Sequence, residues 1–589
     1  MSDILRRASG FYTVYNRYYE TVGTRGLKIP GDASTKVLLL IDGHRLNDNV
    51  YSQAMIGTDF PLDIDLIDRV EITRGSGSCL YGNNAFFGVI NVITKKASAI
   101  DGTEISADIG SSDTYKGRIS YGGKFSDSGD ILLSVSGYDS NGDKNLYYKE
   151  FDDAATHNGI AENLDRDRFE KLFLKMTYND FTLTGVHGSR DKDIPTAAYG
   201  TWFNYPYSAN DRRSYAELKY DHSIDKDTGI SARIYADRYT YYGNYPYQGF
   251  SEDETSYLYY QREKDPSEWI GGELRLNKTI SEQDRLTFGA EYQYNILQNI
   301  LNYDEEPYYL FVDDRHTSST WAVYLENEFK MTDTLILGAG VRYDHYDSFG
   351  GTTNPRLSVI YTPFESTTLK LVYGTAFRAP NINEIASEDF AYGTFTINPE
   401  KIRSYEAIIE QNYGRHFQGF VSGFMYKIEG LIAQVPWGDE WVIYTNADDA
   451  DAKGIEAEIR TKWDNGFQAS LNYTFQDVRN SETDETLPVS PKHLIKANLV
   501  VPLIQDKLFI SSEGQYMSSR KTISGNNTDG YFVVNTTLLS LNWFRRLELS
   551  ASIYNMFDKI YSDPGAAEHV QEAIEQSGRS FRIKLTYLF

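Results

Sequence analysis

The sequence predicts an all-β membrane protein: a 22-stranded antiparallel transmembrane β-barrel, a size that leaves a lumen wide enough to hold a separate N-terminal unit. Three observations carry that expectation. From about residue 100 to the end, polar and apolar residues alternate, the period of two that marks a strand. Phe467, Ala469, Leu471, Tyr473 and Phe475 face one way, while Gln468, Ser470, Asn472 and Thr474 face the other. Tight joints such as Asn179-Asp180, Ser281-Glu282, Gly414-Arg415 and Asn465-Gly466 alternate with long connections near 139–166, 190–211, 242–266, 300–315, 377–400 and 558–577. Short turns on one side and long loops on the other are the habit of an outer-membrane barrel. Finally, the chain holds 47 Tyr, 30 Phe and 7 Trp, an aromatic load that suits girdles at two membrane interfaces.

Composition narrows the alternatives. No apolar run approaches the ~18 residues of a membrane helix, and the polar alternation of barrel strands explains the negative mean hydropathy. A net charge of −25 argues against a nucleic-acid partner, which needs a basic face. Cys79 is the sole cysteine, so an intramolecular disulfide and a cysteine-rich zinc site are both excluded. There is no His-Glu-x-x-His, no Gly-x-Ser-x-Gly and no clustered histidine pattern, so no enzyme, cofactor or metal centre is expected. Asp449 to Gly454 hints at a calcium loop, but Lys453 and Arg460 stand where ligands belong.

The N-terminal residues 1–97 read differently. Arg69 to Lys96 places two strand-like runs, Val70–Thr73 and Val89–Thr94, around Gly75, Gly77, Gly82 and Gly88. Glycine at that density marks tight turns, and the spacing fits neither a dinucleotide fingerprint nor a phosphate loop. Glu71-Ile72, Arg74-Gly75, Leu80-Tyr81-Gly82 and Gly88 to Thr94 follow one another, with Thr24-Arg25-Gly26 and Val37 to Gly43 upstream. This order resembles the plug-domain signature of TonB-dependent outer-membrane receptors. The resemblance implies a plug over 1–97, inside a barrel over 98–589, in the outer membrane of a Gram-negative bacterium. The strand face Phe581, Ile583, Leu585, Tyr587 and Phe589 resembles the terminal signal read by the barrel-assembly machinery. Family members carry a signal sequence, a TonB-contacting box and the plug's first strand and helix upstream. None is recognisable here, so a truncated or misassigned start is expected.

The resemblance also implies sites. Two plug arginines, Arg25 and Arg74, are expected to pair with Glu406 and Glu456 on the inner wall, locking plug to barrel through forked, charge-assisted bonds. The plug loops Phe11–Tyr19 and Asn47–Asp59 are expected to face the ligand, with Tyr15, Arg17, Tyr18, Tyr51 and Gln53 as its contacts. The ligand class implied is a scarce nutrient, a ferric siderophore first, with cobalamin or haem as alternatives. Arg17, Arg45 and Arg378 are available to offset acidic loops against an anionic chelate. Phe377 to Pro380 and Asn398 to Glu400 resemble boxes of haem receptors, but no histidine lies between Asn381 and Ile397 to serve as axial ligand. The partners implied are TonB and outer-membrane lipid, and a monomer is expected. The reading from another class is a passive porin-like channel, which would need an unoccluded lumen.

Overall fold

The computed structural model describes residues 1–390, 396–437, 441–544 and 546–589. Residues 391–395, within the expected 377–400 loop, lie outside that description.

The chain opens with a helix, Ser2–Arg7, which the sequence reading did not anticipate. Asp3 in its first turn and Arg6 and Arg7 in its last complement the helix dipole. Six residues do not sustain a helix alone, and full burial of Leu5 ties this one to the interior. A hairpin follows, β1 (Phe11–Tyr15) with β2 (Glu20–Thr24). The small sheet then has the order β4-β3-β6-β5, with β3 Val37–Ile41, β4 His44–Arg45, β5 Ile67–Arg74 and β6 Gly88–Thr94. Every residue of β3 is buried, and it pairs in parallel with β6. An unbroken apolar run is what a strand covered on both faces requires.

A single 3-10 turn, Ala97–Ala99, leads into Gly102–Gly110, the first strand of a closed barrel of 22 antiparallel strands. The last strand, Ser580–Leu588, closes the circle by pairing with the first, Leu585 opposite Ala107. Closure removes every free edge. Phe581, Ile583, Leu585 and Tyr587 point outward and are exposed, as a lipid-facing wall demands.

Two expected loops are instead strands. Thr228–Phe250 pairs with Ser256–Ser281 as far as Phe250 opposite Ser256, and Asp284–Asp304 pairs with Tyr309–Thr332 as far as Asp304 opposite Tyr309. The expected loops near 242–266 and 300–315 thus shrink to tight turns. Tyrosines at 241, 245, 247, 257 and 259 continue the period of two along both strands, and such residues favour the pleated state. The acidic run Glu252 to Glu254 occupies the turn.

The N-terminal unit sits inside the cylinder, because it touches wall strands all the way round. Asp63 receives Lys116, Asp42 receives Lys175, Leu80 receives Arg342, and Asp65 receives Lys584, while Lys496 donates to Ala8.

Candidate functional site

The centre of the lumen is organised by Arg25. It lies in a left-handed turn (φ 52°) directly before Gly26, and its N–H donates to the carbonyl of Gly10 at 2.7 Å. That turn aims the guanidinium at three consecutive wall strands, Glu400–Tyr413, Phe417–Trp437 and Trp441–Lys462. Nη1 lies 3.0 Å from Glu406 Oε1 and Nη2 lies 3.0 Å from Glu456 Oε2. The Tyr426 hydroxyl accepts from Arg25 and donates to Glu406 Oε1 at 3.1 Å. The Phe424 ring lies 4.5 Å beneath the guanidinium carbon. Burial alone would favour the neutral arginine, but the two carboxylates overcome it and hold Arg25 charged, well above its ordinary pKa.

The carboxylates reach this point only because of two glycines. A Cβ on Gly10 (φ +75°) would stand 1.9 Å from Glu456 Oε1, and one on Gly75 (φ +78°) would stand 1.9 Å from Glu406 Oε1. Arg74, expected to share the cluster, makes no ion pair with either glutamate within 4.0 Å among the described residues. Its guanidinium carbon sits 5.4 Å from the Phe420 ring and its Nε has no hydrogen-bond partner. The geometry therefore joins Arg25, Glu406 and Glu456 and leaves Arg74 beside them. A neighbouring cluster was not foreseen: buried Arg378 pairs with Glu384 at 2.8 Å and with Glu400, which also faces Lys36 of the plug at 3.2 Å. Arg378 and Glu400 are directly opposed on adjacent strands, so the two short boxes bracketing that loop meet as an ion pair.

Toward the outer opening, the β1–β2 tip rises into a shell of loops. Arg17 (φ 64°) is buried, its Nη1 2.7 Å from Asp143 and 3.0 Å from Asp165, its Nε and Nη2 donating to the Glu575 carbonyl. Tyr15 donates its backbone N–H to Asp563 at 3.0 Å and accepts from Gln576 at 2.9 Å. Tyr18 bonds the Tyr241 hydroxyl and meets Tyr207 edge-on. The Tyr51 hydroxyl donates to Glu263 at 2.9 Å and also to Asp265. Gln53 is buried and donates to Asp59 at 3.2 Å. Each expected ligand contact thus has a protein partner: Tyr15 and Arg17 dock on the outer loops, Tyr18 and Tyr51 on extended wall strands, and Gln53 within its own plug loop. Burial pushes the Asp59 carboxyl up to about 7, against the pull of Arg190.

Sequence reading missed the wall opposite the tip: Tyr207, Tyr239, Tyr241, Tyr245 and Trp269 form one buried cluster with Tyr18 and Met55. Its signal was parity, since the tyrosines at 235, 239, 241, 245 and 247 share the inward phase of one strand. Also missed was His44, which bridges Glu217 at 2.9 Å and Asp237 at 3.0 Å while stacked 3.8 Å from Tyr215.

Comparison with known proteins agrees with this architecture. Residues 1–89 match the family model TonB-dependent Receptor Plug Domain, and residues 81–556 match TonB dependent receptor-like, beta-barrel. The chain is 26% identical over 614 residues to the vitamin B12 transporter BtuB of Vibrio cholerae serotype O1, covering 95% of this chain and 86% of that protein. Among solved structures it is similar to the unliganded ferric citrate transporter FecA (TM-score 0.80, 16% identity, 100% of this chain and 94% of that one). It is also similar to the copper transporter OprC (TM-score 0.78, 16% identity, 100% of this chain and 95% of that one). A closed 22-stranded barrel around an N-terminal plug, matched by family models across most of its length, makes this chain a member of the TonB-dependent receptor family.

Proposed function

We propose that this protein is a receptor in the outer membrane of a Gram-negative bacterium. On this reading it acts as a monomer and takes up a bulky metal chelate through TonB-driven movement of its plug. Arg25, Glu406 and Glu456 serve as the latch that keeps the plug seated until force is applied. The observation that carries this reading is the buried cluster of Arg25 with Glu406, Glu456 and Tyr426. It is an attachment made of side chains from two units, without a covalent or backbone link.

For the ligand, the sequence pointed first to a ferric siderophore. The side-chain geometry favours a chelate without large negative charge, a corrinoid before a ferric catecholate. Arg17 and Arg378, two cations that would offset an anionic ligand, are committed to Asp143, Asp165, Glu384 and Glu400. The third, Arg45, donates to the carbonyls of Tyr81 and Asn83. The outer loops keep their acidic runs, and the wall facing the tip is tyrosine-rich, which suits a large ring system with amide edges. The similarity to a vitamin B12 transporter points the same way. A neutral ferric hydroxamate satisfies the same constraints and is the second reading.

Titrating the purified protein with cyanocobalamin, a neutral ferric hydroxamate and an anionic ferric catecholate, with tyrosine and tryptophan fluorescence as readout, separates these. Saturable quenching by the corrinoid alone is expected; tight binding of the catecholate alone would overturn the charge argument. Planar-bilayer recordings address the passive-channel alternative: a large steady current through the intact protein would refute the occluded lumen.

A further inference from the structure

The rim of the barrel is uneven at its outer opening. The hairpin of Asp284–Asp304 with Tyr309–Thr332 outruns the strand beside it. Tyr309–Thr332 pairs with Leu335–Tyr346 only as far as Thr320 opposite Tyr346, whereas its pairing with Asp284–Asp304 continues to Tyr309 opposite Asp304. Asp347 closes the shared ladder: its carboxylate accepts the Ser319 N–H at 2.6 Å, and its own N–H donates to the Ser319 carbonyl at 3.3 Å. Residues 310–318 therefore form a strand with a partner on one side alone. Backbone groups along a strand address its two sides in turn, so part of this backbone looks away from the hairpin. Among the described residues, no N–H or C=O of 310–318 bonds anything beyond the hairpin itself.

The other edge of the same raised sheet is covered. Thr228–Phe250 outruns its neighbour beyond Asn244, which faces Ser208. There the loop 194–207 closes over it: the Trp202 N–H donates to the Pro246 carbonyl at 2.7 Å, and the Tyr247 hydroxyl to the Tyr199 carbonyl at 3.1 Å. An edge left open is a template for another strand, and charge decides which. Asp304, Glu305, Glu306, Asp313 and Asp314 gather at the open hairpin's end, against Arg315 and, from the next hairpin, Arg262. Arg315 pairs with Asp313 at 3.4 Å, Arg262 with Glu305 at 2.6 Å and His316 with Asp314 at 2.6 Å. Asp304 and Glu306 have no ion pair within 4.0 Å among the described residues, so the end stays acidic after every pairing. Its inner face is filled, Val312 packing against the cluster of Val50, Ile300 and Ile382. Tyr308, Tyr309 and Phe311 are exposed beside the acids.

We propose that the edge 310–318 is a docking site for an extended, basic polypeptide segment, which joins the sheet as one more strand. The segment's backbone takes up the N–H and C=O groups that look away from the hairpin. Its lysines or arginines lie across from Glu306 and Asp313 and over the Tyr309 and Phe311 rings. A second copy of this chain would bring acid against acid at the same edge, so the charges that block self-pairing select the basic partner. This role is independent of the uptake proposed above.

The test uses the full-length folded protein in detergent with synthetic peptides of about ten residues, the length of a long strand. One alternates lysine with threonine. The second is the same peptide methylated at every backbone nitrogen, and the third has glutamate in place of lysine. Fluorescence anisotropy of the labelled peptides and hydrogen exchange of the protein are the readouts. The first peptide is expected to bind saturably and to slow those amides of 310–318 that exchange freely in the unbound protein. The methylated and acidic peptides should do neither. The double variant Glu306→Lys/Asp313→Lys should weaken the basic peptide roughly tenfold, since each cross-strand charge pair contributes up to about fivefold, and should admit the acidic one. Heat-modifiable gel mobility reports that the variant is folded. Equal binding of the methylated or the acidic peptide by wild type would overturn the proposal whether or not the variant folds. So would unslowed exchange across 310–318, or unchanged binding of the basic peptide by the folded variant.

Discussion

The plug meets its barrel in two ways, and the difference is instructive. At mid-lumen, one guanidinium with two carboxylates and a hydroxyl holds the contact together, all four almost fully buried. At the outer tip, contact is spread over Arg17, several tyrosine hydroxyls and backbone carbonyls supplied by loops. A concentrated ionic cluster is strong while whole and fails abruptly when one partner goes, because a buried charge is left uncompensated. At the tip, Arg17 with Asp143 and Asp165 is a second buried ionic cluster, but the tyrosine hydroxyls and backbone groups around it are lost singly, each contact worth ~1 kcal/mol. On the function proposed above, the centre serves as the latch, and the tip as a surface that adjusts as a ligand arrives.

Breaking the centre gives the largest expected effect. Glu456→Ala should weaken plug seating by about 3–5 kcal/mol, the cost of stranding one member of a buried pair. It should be read as bilayer conductance appearing at lower urea than in wild type. Arg74→Gln, which removes a cation outside the ion pairs, should shift that urea onset far less; equal shifts would mean that Arg74 belongs to the latch.

A smaller effect is expected from Gly10→Ala. The left-handed backbone alone costs about 1–2 kcal/mol, and displacement of Glu456 by the new methyl adds to it. The same urea onset measures it, and combining Gly10→Ala with Glu456→Ala should give less than the sum, since both act on one contact.

The smallest effect sharpens the comparison through pH. His44 has its pKa raised: burial works against the charge, but Asp237 and Glu217 more than offset it. With Arg213 and Arg233 also facing those carboxylates, the imidazolium's contribution is present below about pH 6.5, the ordinary value. It is lost as pH rises through the elevated folded value. Wild-type plug seating should weaken toward alkaline pH, and His44→Gln should flatten that dependence, as hydrogen exchange at residues 37–45 would show. A slope of opposite sign would remove His44 from the contact.

How much was legible beforehand depends on range. The wall strands were readable because alternation is local, and Phe581 to Phe589 announced an outward face without reference to any neighbour. Arg25, Glu406 and Glu456 were legible only through resemblance, since nothing near Arg25 in sequence says that its partners lie some four hundred residues away. The expected loops near 242–266 and 300–315 failed because charged and tyrosine-rich text was read as loop, whereas cross-strand pairing continued through it. Arg17 illustrates a different limit. Its charge was assigned to a ligand, but the folded loops bring Asp143 and Asp165 to it first.

The sequence by itself determined the strand period, the aromatic load, the glycine turns and the order of plug before barrel, because each is written in neighbouring residues. Only the tertiary structure decided which cations are spent. Arg17 and Arg378 find carboxylates inside, Arg74 rests on a ring, and Lys427 and Lys453 stand on the outer face opposite Asp451 and Asp477. The reason is geometric: a charge is neutralised by whatever closure of the cylinder carries within a few ångströms, and that distance is set by strand registers summed around the barrel.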